Sequence, residues 1–139
     1  MTVRHGEWDF HAAPPLLQVE LRGAVNLQGA QQHIAALRAV LLEAPEEYRV
    51  MLVHMEQWLF STNDAPDEFQ QFHYWLADKT AVRDCLYIIG GQRLKRDFIE
   101  LGWPAHSPIR RHYLSCGAQS QAVLQEHGVV LASRLAAED

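Results

Sequence analysis

Tyr48-Arg49-Val50-Met51-Leu52-Val53 is an almost unbroken apolar run, with Pro45 just before it and polar residues after it. It does not alternate between apolar and polar residues, so it reads as a strand covered on both faces. Asp84-Cys85-Leu86-Tyr87-Ile88-Ile89 has the same character. Between the two runs lies Ser61-Thr62-Asn63-Asp64-Ala65-Pro66-Asp67-Glu68, rich in helix-capping residues and first-turn acids. Phe69, Phe72 and Leu76 follow at helical spacing. The segment therefore reads strand, helix, strand, the unit of a sheet covered by helices with right-handed crossovers.

Working outward, Leu17, Val19 and Leu21 alternate with Gln18, Glu20 and Arg22, which predicts a strand with one wet face. Gly6 to His11 alternates as well, placing Trp8 and Phe10 together, and Ala13-Pro14-Pro15 breaks it into a hairpin. Gly23-Ala24-Val25-Asn26 ends the second strand, with Asn26 as an N-cap. Leu27, Ala30, Ile34, Leu37 and Leu41 form one helical face, closed by Ala44-Pro45. On the other side, Gly90-Gly91 turns the chain into a helix bearing Leu94, Phe98 and Leu101, and Gly102 ends it. Pro108 to Ser115 reads as a strand of mixed faces, and Ala118 to His127 as a helix stopped by Gly128. Residues 129–139 suit a short helix or a strand equally.

The expected fold is one α/β domain over residues 1–139, with its core in about 5–128. It has a mixed five-stranded sheet and about four helices in the order β-β-α-β-α-β-α-β-α. Apolar residues are 48% and charged residues 21% of the chain, which excludes wholesale disorder. The net charge of −5 argues against a general nucleic-acid partner, which needs a basic surface. No window is apolar enough for membrane insertion, and no secretion signal is visible, so the expected location is the cytoplasm. Cys85 and Cys116 are then expected to be reduced, buried thiols.

Several short stretches recur in order along a known group of proteins. They are His5-Gly6-Glu7, Gly23-Ala24-Val25-Asn26, Trp58-Leu59 with Thr62, and Trp75. On these the chain resembles the SpoIIAA-like proteins, a branch of the STAS-like (STAS/SEC14-like) fold, over most of residues 5–128. The resemblance implies a small mixed sheet flanked by helices that acts as a regulatory or interaction module. Phosphorylated STAS regulators carry Asp-Ser-Ser or Asp-Ser-Thr followed by glycine before the second helix. Here the loop reads Phe60-Ser61-Thr62-Asn63-Asp64. A phosphorylation switch is therefore not expected at Ser61 or Thr62, whose acidic neighbours would repel phosphate. A helix cap is the favoured role for these two residues.

No catalytic constellation emerges. The eight histidines form neither H-E-x-x-H nor H-x₃-H, so no metal and no cofactor is expected. Cys85 sits in an apolar strand, and no catalytic signature surrounds Cys116. Two ambiguities remain open. Gly90 and Gly91, followed by Arg93, Lys95 and Arg96, suit a plain turn before a solvated basic face. They also suit an anion, or a partner's carboxylate, held by Gly90, Gly91, Arg93 and Arg96, because cations at a helix start oppose its dipole. Trp58, Phe60 and Trp75 suit either packing at the sheet's edge or a partner surface. The leading functional expectation is a non-enzymatic interaction module whose partner is a protein, with self-pairing in a homodimer as one form. The alternative is a binding or sensor domain for a small apolar or anionic ligand, and an enzyme ranks third.

Overall fold

The computed structural model describes residues 2–5 and 8–126. Its elements in chain order are β1 (Thr2–His5), β2 (Trp8–Ala13), β3 (Leu16–Leu21), β4 (Gly23–Val25), α1 (Leu27–Leu42), β5 (Val50–His54), β6 (Trp58–Ser61), α2 (Ala65–Lys79), β7 (Asp84–Ile88), α3 (Arg93–Leu101), β8 (Arg110–Leu114) and α4 (Gly117–Glu126). The main sheet runs β1-β2-β3-β5-β7-β8. The first three strands are antiparallel neighbours, and β3, β5, β7 and β8 are parallel.

The α/β fold and the order of its five expected strands and four helices agree with the sequence reading. The expected strands are β2, β3, β5, β7 and β8. The structure adds β1 at one edge and a separate parallel ribbon of β4 and β6. These three are short strands of three or four residues, too brief to show a period. The tail 129–139 and the stop at Gly128 lie outside the described residues.

Every residue of β5 and of β7 is buried. Leu17, Val19, Met51, Val53, Cys85 and Tyr87 point to one face and meet α1, α2 and α3. Helix α1 starts as expected, with Asn26 Oδ1 accepting from the Gly29 N–H at 2.8 Å. Its Ile34, Leu37 and Leu41 enter that core, as do Phe72 and Leu76 of α2. Leu16, Val50, Leu52, Leu86 and Ile88 point to the other face and form a smaller core with Leu124 of α4. The helices are therefore split, three against one.

Two sequence expectations need correction. Leu94 and Leu101 do not form the buried face of α3. They are 72% and 58% exposed, while Lys95 and Ile99 are buried and Phe98 is half-buried. Cys116 is exposed because β8 ends just before it, whereas Cys85 is buried as expected. Burial pushes the Cys85 thiol up, as does the charge of Asp84. It is therefore inert as a nucleophile at neutral pH.

His73 of α2 is buried with its ring stacked on Trp103, centroids 3.6 Å apart and planes 6° from parallel. Its Nδ1–H donates to the Gly102 carbonyl at 2.5 Å. Burial lowers its pKa from 6.5 to about 3, although the Gly102 bond opposes the shift. The unfolded chain therefore takes up this proton first as pH falls. The stabilisation is complete above the unfolded value of 6.5 and is lost toward about 3. The expected slope from this group is about 1.4 kcal/mol per pH unit at most. Urea unfolding followed across that window should show a His73→Phe variant with a shallower acid slope than wild type. Parallel slopes would contradict it.

Candidate functional site

Strands β3, β5, β7 and β8 run parallel, so their carboxyl ends share one edge of the sheet. In open α/β sheets this edge is where ligands gather, because the loops there are free to vary. In this chain the edge is built by Met55-Glu56-Gln57 after β5, by Gly90-Gly91-Gln92 after β7, and by Ser115 after β8. The Met55 N–H donates to Ile88 O at 2.9 Å and the Ile89 N–H to Leu114 O at 3.0 Å, which carries the ladder past the strand ends.

Lys95 ties α3 to this edge. It is only 3% exposed, and its Nζ donates to the carbonyls of Met55 at 2.8 Å and Glu56 at 2.9 Å. Burial lowers its pKa, and the charge of Glu56 opposes that. The basic face expected after Gly91 is thus split, with Lys95 inward and Arg93 and Arg96 exposed.

Gly91, Arg93, Arg96, Asp97, Tyr113 and Ser115 line one open groove between α3 and β8, with Glu100 along its wall. Gly90 and Gly91 turn the chain with φ of 65° and 74°, a region glycine enters freely. Gln92 at the N-cap makes no side-chain cap bond. Arg96 lies over the Tyr113 ring, 5.0 Å from its centroid. Glu100 receives Arg111 at 2.8 and 3.0 Å and also the Tyr113 hydroxyl. Burial favours its protonated form. The bonds from Arg111 and Tyr113, with the charges of Arg111 and Arg96, outweigh this and hold its pKa below the usual carboxylate range. Arg110 and His112 are spent on Asp84, with Arg110 making a two-pronged contact at 2.9 Å on each arm. The structure therefore brings three of the four expected anion residues, Gly91, Arg93 and Arg96, into one groove. Gly90 lies at its entrance turn, outside the lining.

The aromatic candidates do not form one open surface. Trp58 is buried, with its Nε1–H 3.3 Å from Ser61 Oγ, so its expectation as a partner residue is corrected. Its ring packs on Phe60 and Phe98, with centroids 5.0 and 5.5 Å away. Trp75 is half-buried, stacked on Phe72 and covered by Arg38. Ser61 and Thr62 do not cap α2 with their side chains. The Thr62 hydroxyl donates to Asp64 at 2.6 Å, and Asp64 occupies the cap position without a side-chain cap bond. Pro66 in the first turn lacks an N–H, which leaves fewer groups for a cap to satisfy.

Phe60 holds a left-handed backbone, φ 96°, which costs about 1–3 kcal/mol for a bulky residue. The aromatic contacts of its ring with Trp58 and Phe98 keep it there. Both Phe60→Gly and Phe60→Ala lose those contacts, but only glycine relieves the backbone. Phe60→Gly should therefore be the more stable of the two by about 1 kcal/mol in chemical denaturation. The reverse order would contradict the strain.

Among the described residues no group of three or more His, Cys, Asp or Glu side chains is placed to hold a metal ion. No described helix is long and apolar enough to cross a membrane. No protein-family model and no curated protein matches the sequence. Solved structures do match. One is an uncharacterised DUF3478-family protein with a SpoIIAA-like fold from Shewanella loihica PV-4, 11% identical, with a TM-score of 0.65 over 89% of this chain and 98% of that one. Another is the anti-sigma factor antagonist SpoIIAA in its unphosphorylated form, also 11% identical, with a TM-score of 0.59 over 88% of this chain and 99% of that one. At this identity the likeness speaks for architecture, and by it the chain has a SpoIIAA-like fold.

Proposed function

We propose that this chain is a non-enzymatic protein-interaction module of the regulatory kind, and that it pairs with a second copy of itself through the outer face of α3. The observation that carries the reading is the exposure of Leu94 and Leu101 on a helix that buries its lysine. Residues seven apart lie two turns along the same helix face. Two large apolar side chains so placed form one apolar stripe that a partner can cover. A twofold contact between two such helices sets Leu94 of each copy against Leu101 of the other, the self-complementary arrangement most common among homodimers. The SpoIIAA-like fold supports the same reading, because the solved neighbour SpoIIAA is named for opposing another protein. Native mass spectra and light scattering from micromolar to millimolar protein should show a dimer that grows with concentration. The double substitution Leu94→Glu, Leu101→Glu should leave a monomer with an unchanged circular dichroism spectrum. A wild-type chain that stays monomeric throughout would overturn the reading.

A second reading draws its support from the groove beside α3. Arg93 and Arg96 stand at an uncapped helix start next to Gly91, while the carboxylate of Glu100 is matched by Arg111. In this reading an anion, or a carboxylate of a partner, settles against Gly91, Arg93 and Arg96. Titration with phosphate or sulfate should then move the backbone amide NMR signals of Gly91, Gln92 and Arg93 at millimolar anion. If they do not move, this is a turn and nothing more.

A further inference from the structure

Helices α1, α2 and α3 do not close completely on the sheet. They leave a cavity of ≈ 70 Å³ between them and the strands. Its walls are mainly apolar and include Leu21, Val25, Leu37, Met51, Val53 and Phe72, with His33, Ser61, His73 and Tyr87 among the members that carry polar groups. Ser61, Pro66, Phe69 and Phe98 also line it and are half-buried, which sets its outer side between β6, α2 and α3. A mainly apolar cavity is a ready receptor for apolar matter, since its walls offer water few partners.

One polar feature in the wall is tightly specified. His73 lines the cavity, and its Nδ1–H is committed to the Gly102 carbonyl. In a neutral imidazole the other nitrogen must then be an acceptor. Among the described residues no donor meets His73 Nε2. The ring cannot turn to satisfy it, because it is stacked on Trp103 and bonded at Gly102. An acceptor held in fixed orientation beside an apolar space recognises a donor attached to an apolar body.

We propose that this cavity binds a small uncharged molecule with an apolar body and a single hydroxyl, which donates to Nε2 of His73. A cation is excluded because the apolar walls offer no counter-charge, and a carboxylate because the neutral acceptor would repel it. The size of the ligand follows from the volume. A dry cavity of about 150 Å³ takes a benzene ring, so ≈ 70 Å³ takes a short alcohol as it stands. Met51 and Met55 both line the space, and unbranched thioether side chains shift readily to admit a ring. This inference adds a ligand site to the molecule and does not rest on self-pairing through α3.

The test uses the full chain with methyl-labelled methionines, followed by NMR. Phenol and toluene are the probes, being close in shape and differing in the hydroxyl. Phenol should shift the Met51 and Met55 methyl signals saturably, and toluene should bind about tenfold more weakly or worse. In His73→Phe, which keeps a ring for Trp103 to stack on but has no acceptor, the preference for phenol should vanish. The proposal fails if phenol leaves both methyl signals unmoved at millimolar concentration, or if toluene binds the wild-type chain as well as phenol does. It also fails if the preference survives in a folded His73→Phe. Should that variant not fold, the comparison of the two probes on wild type still decides.

Discussion

Two strands that expose nothing govern this molecule. Because β5 and β7 are buried at every position, each face of the sheet they anchor must be covered. Three helices cover one face, and α4 covers part of the other. This burial brings polar groups into the interior, since a strand of five residues facing both ways rarely avoids them. Asp84 opens β7 in a buried position, His54 closes β5 in another, and Gln18 of β3 lies beside His54. The side chains around them are arranged as an answer. Arg110 and His112 converge on Asp84, and His54 Nε2 meets Gln18 Oε1 at 3.1 Å.

The same logic shapes the edge where the parallel strands end. Backbone carbonyls that leave the ladder there need donors. Lys95 supplies them to Met55 and Glu56, and in doing so it fixes the rotation of α3 about its own axis. With Lys95 inward, Ile99 one turn later must also face inward, and Leu94 and Leu101 are carried to the surface. The exposed leucines are thus the counterpart of a buried lysine. Without that lysine the Met55 carbonyl would keep the Trp58 N–H at 3.2 Å as its donor, and the carbonyl of the exposed Glu56 would turn to water, so the larger loss is the tie between α3 and the sheet edge.

The fold was legible because its strongest signals are local. The two apolar runs, the capping Asn26 and the glycine pair at 90–91 all appear in the structure in the roles their neighbours in sequence assign. The face of α3 was not legible. Leu94, Phe98 and Leu101 share a helical spacing, but so do Lys95, Phe98, Ile99 and Gly102, and a preference for leucine inside selects the wrong set. What decides between them is a pair of carbonyls some 40 residues earlier in the chain. The candidate groove was half legible. The glycines and arginines could be read from their adjacency, and Glu100 shares their helix, whereas Tyr113 and Ser115 join only through the crossover from β7 to β8. Trp58 was misplaced for a related reason. The ribbon of β4 and β6 that carries it inward pairs residues more than thirty positions apart through a very short ladder.

The void beneath the three helices has a mechanical meaning as well. The folded chain occupies space that its own atoms do not fill, and unfolding lets solvent into it. A void of ≈ 70 Å³ corresponds to about 40 mL per mole of protein, within the range by which unfolding volumes commonly differ. Hydrostatic compression therefore acts against this fold and is opposed by whatever occupies the void. Side chains that move to fill it would make the protein stiffer and less compressible, with the same sheet and the same helices.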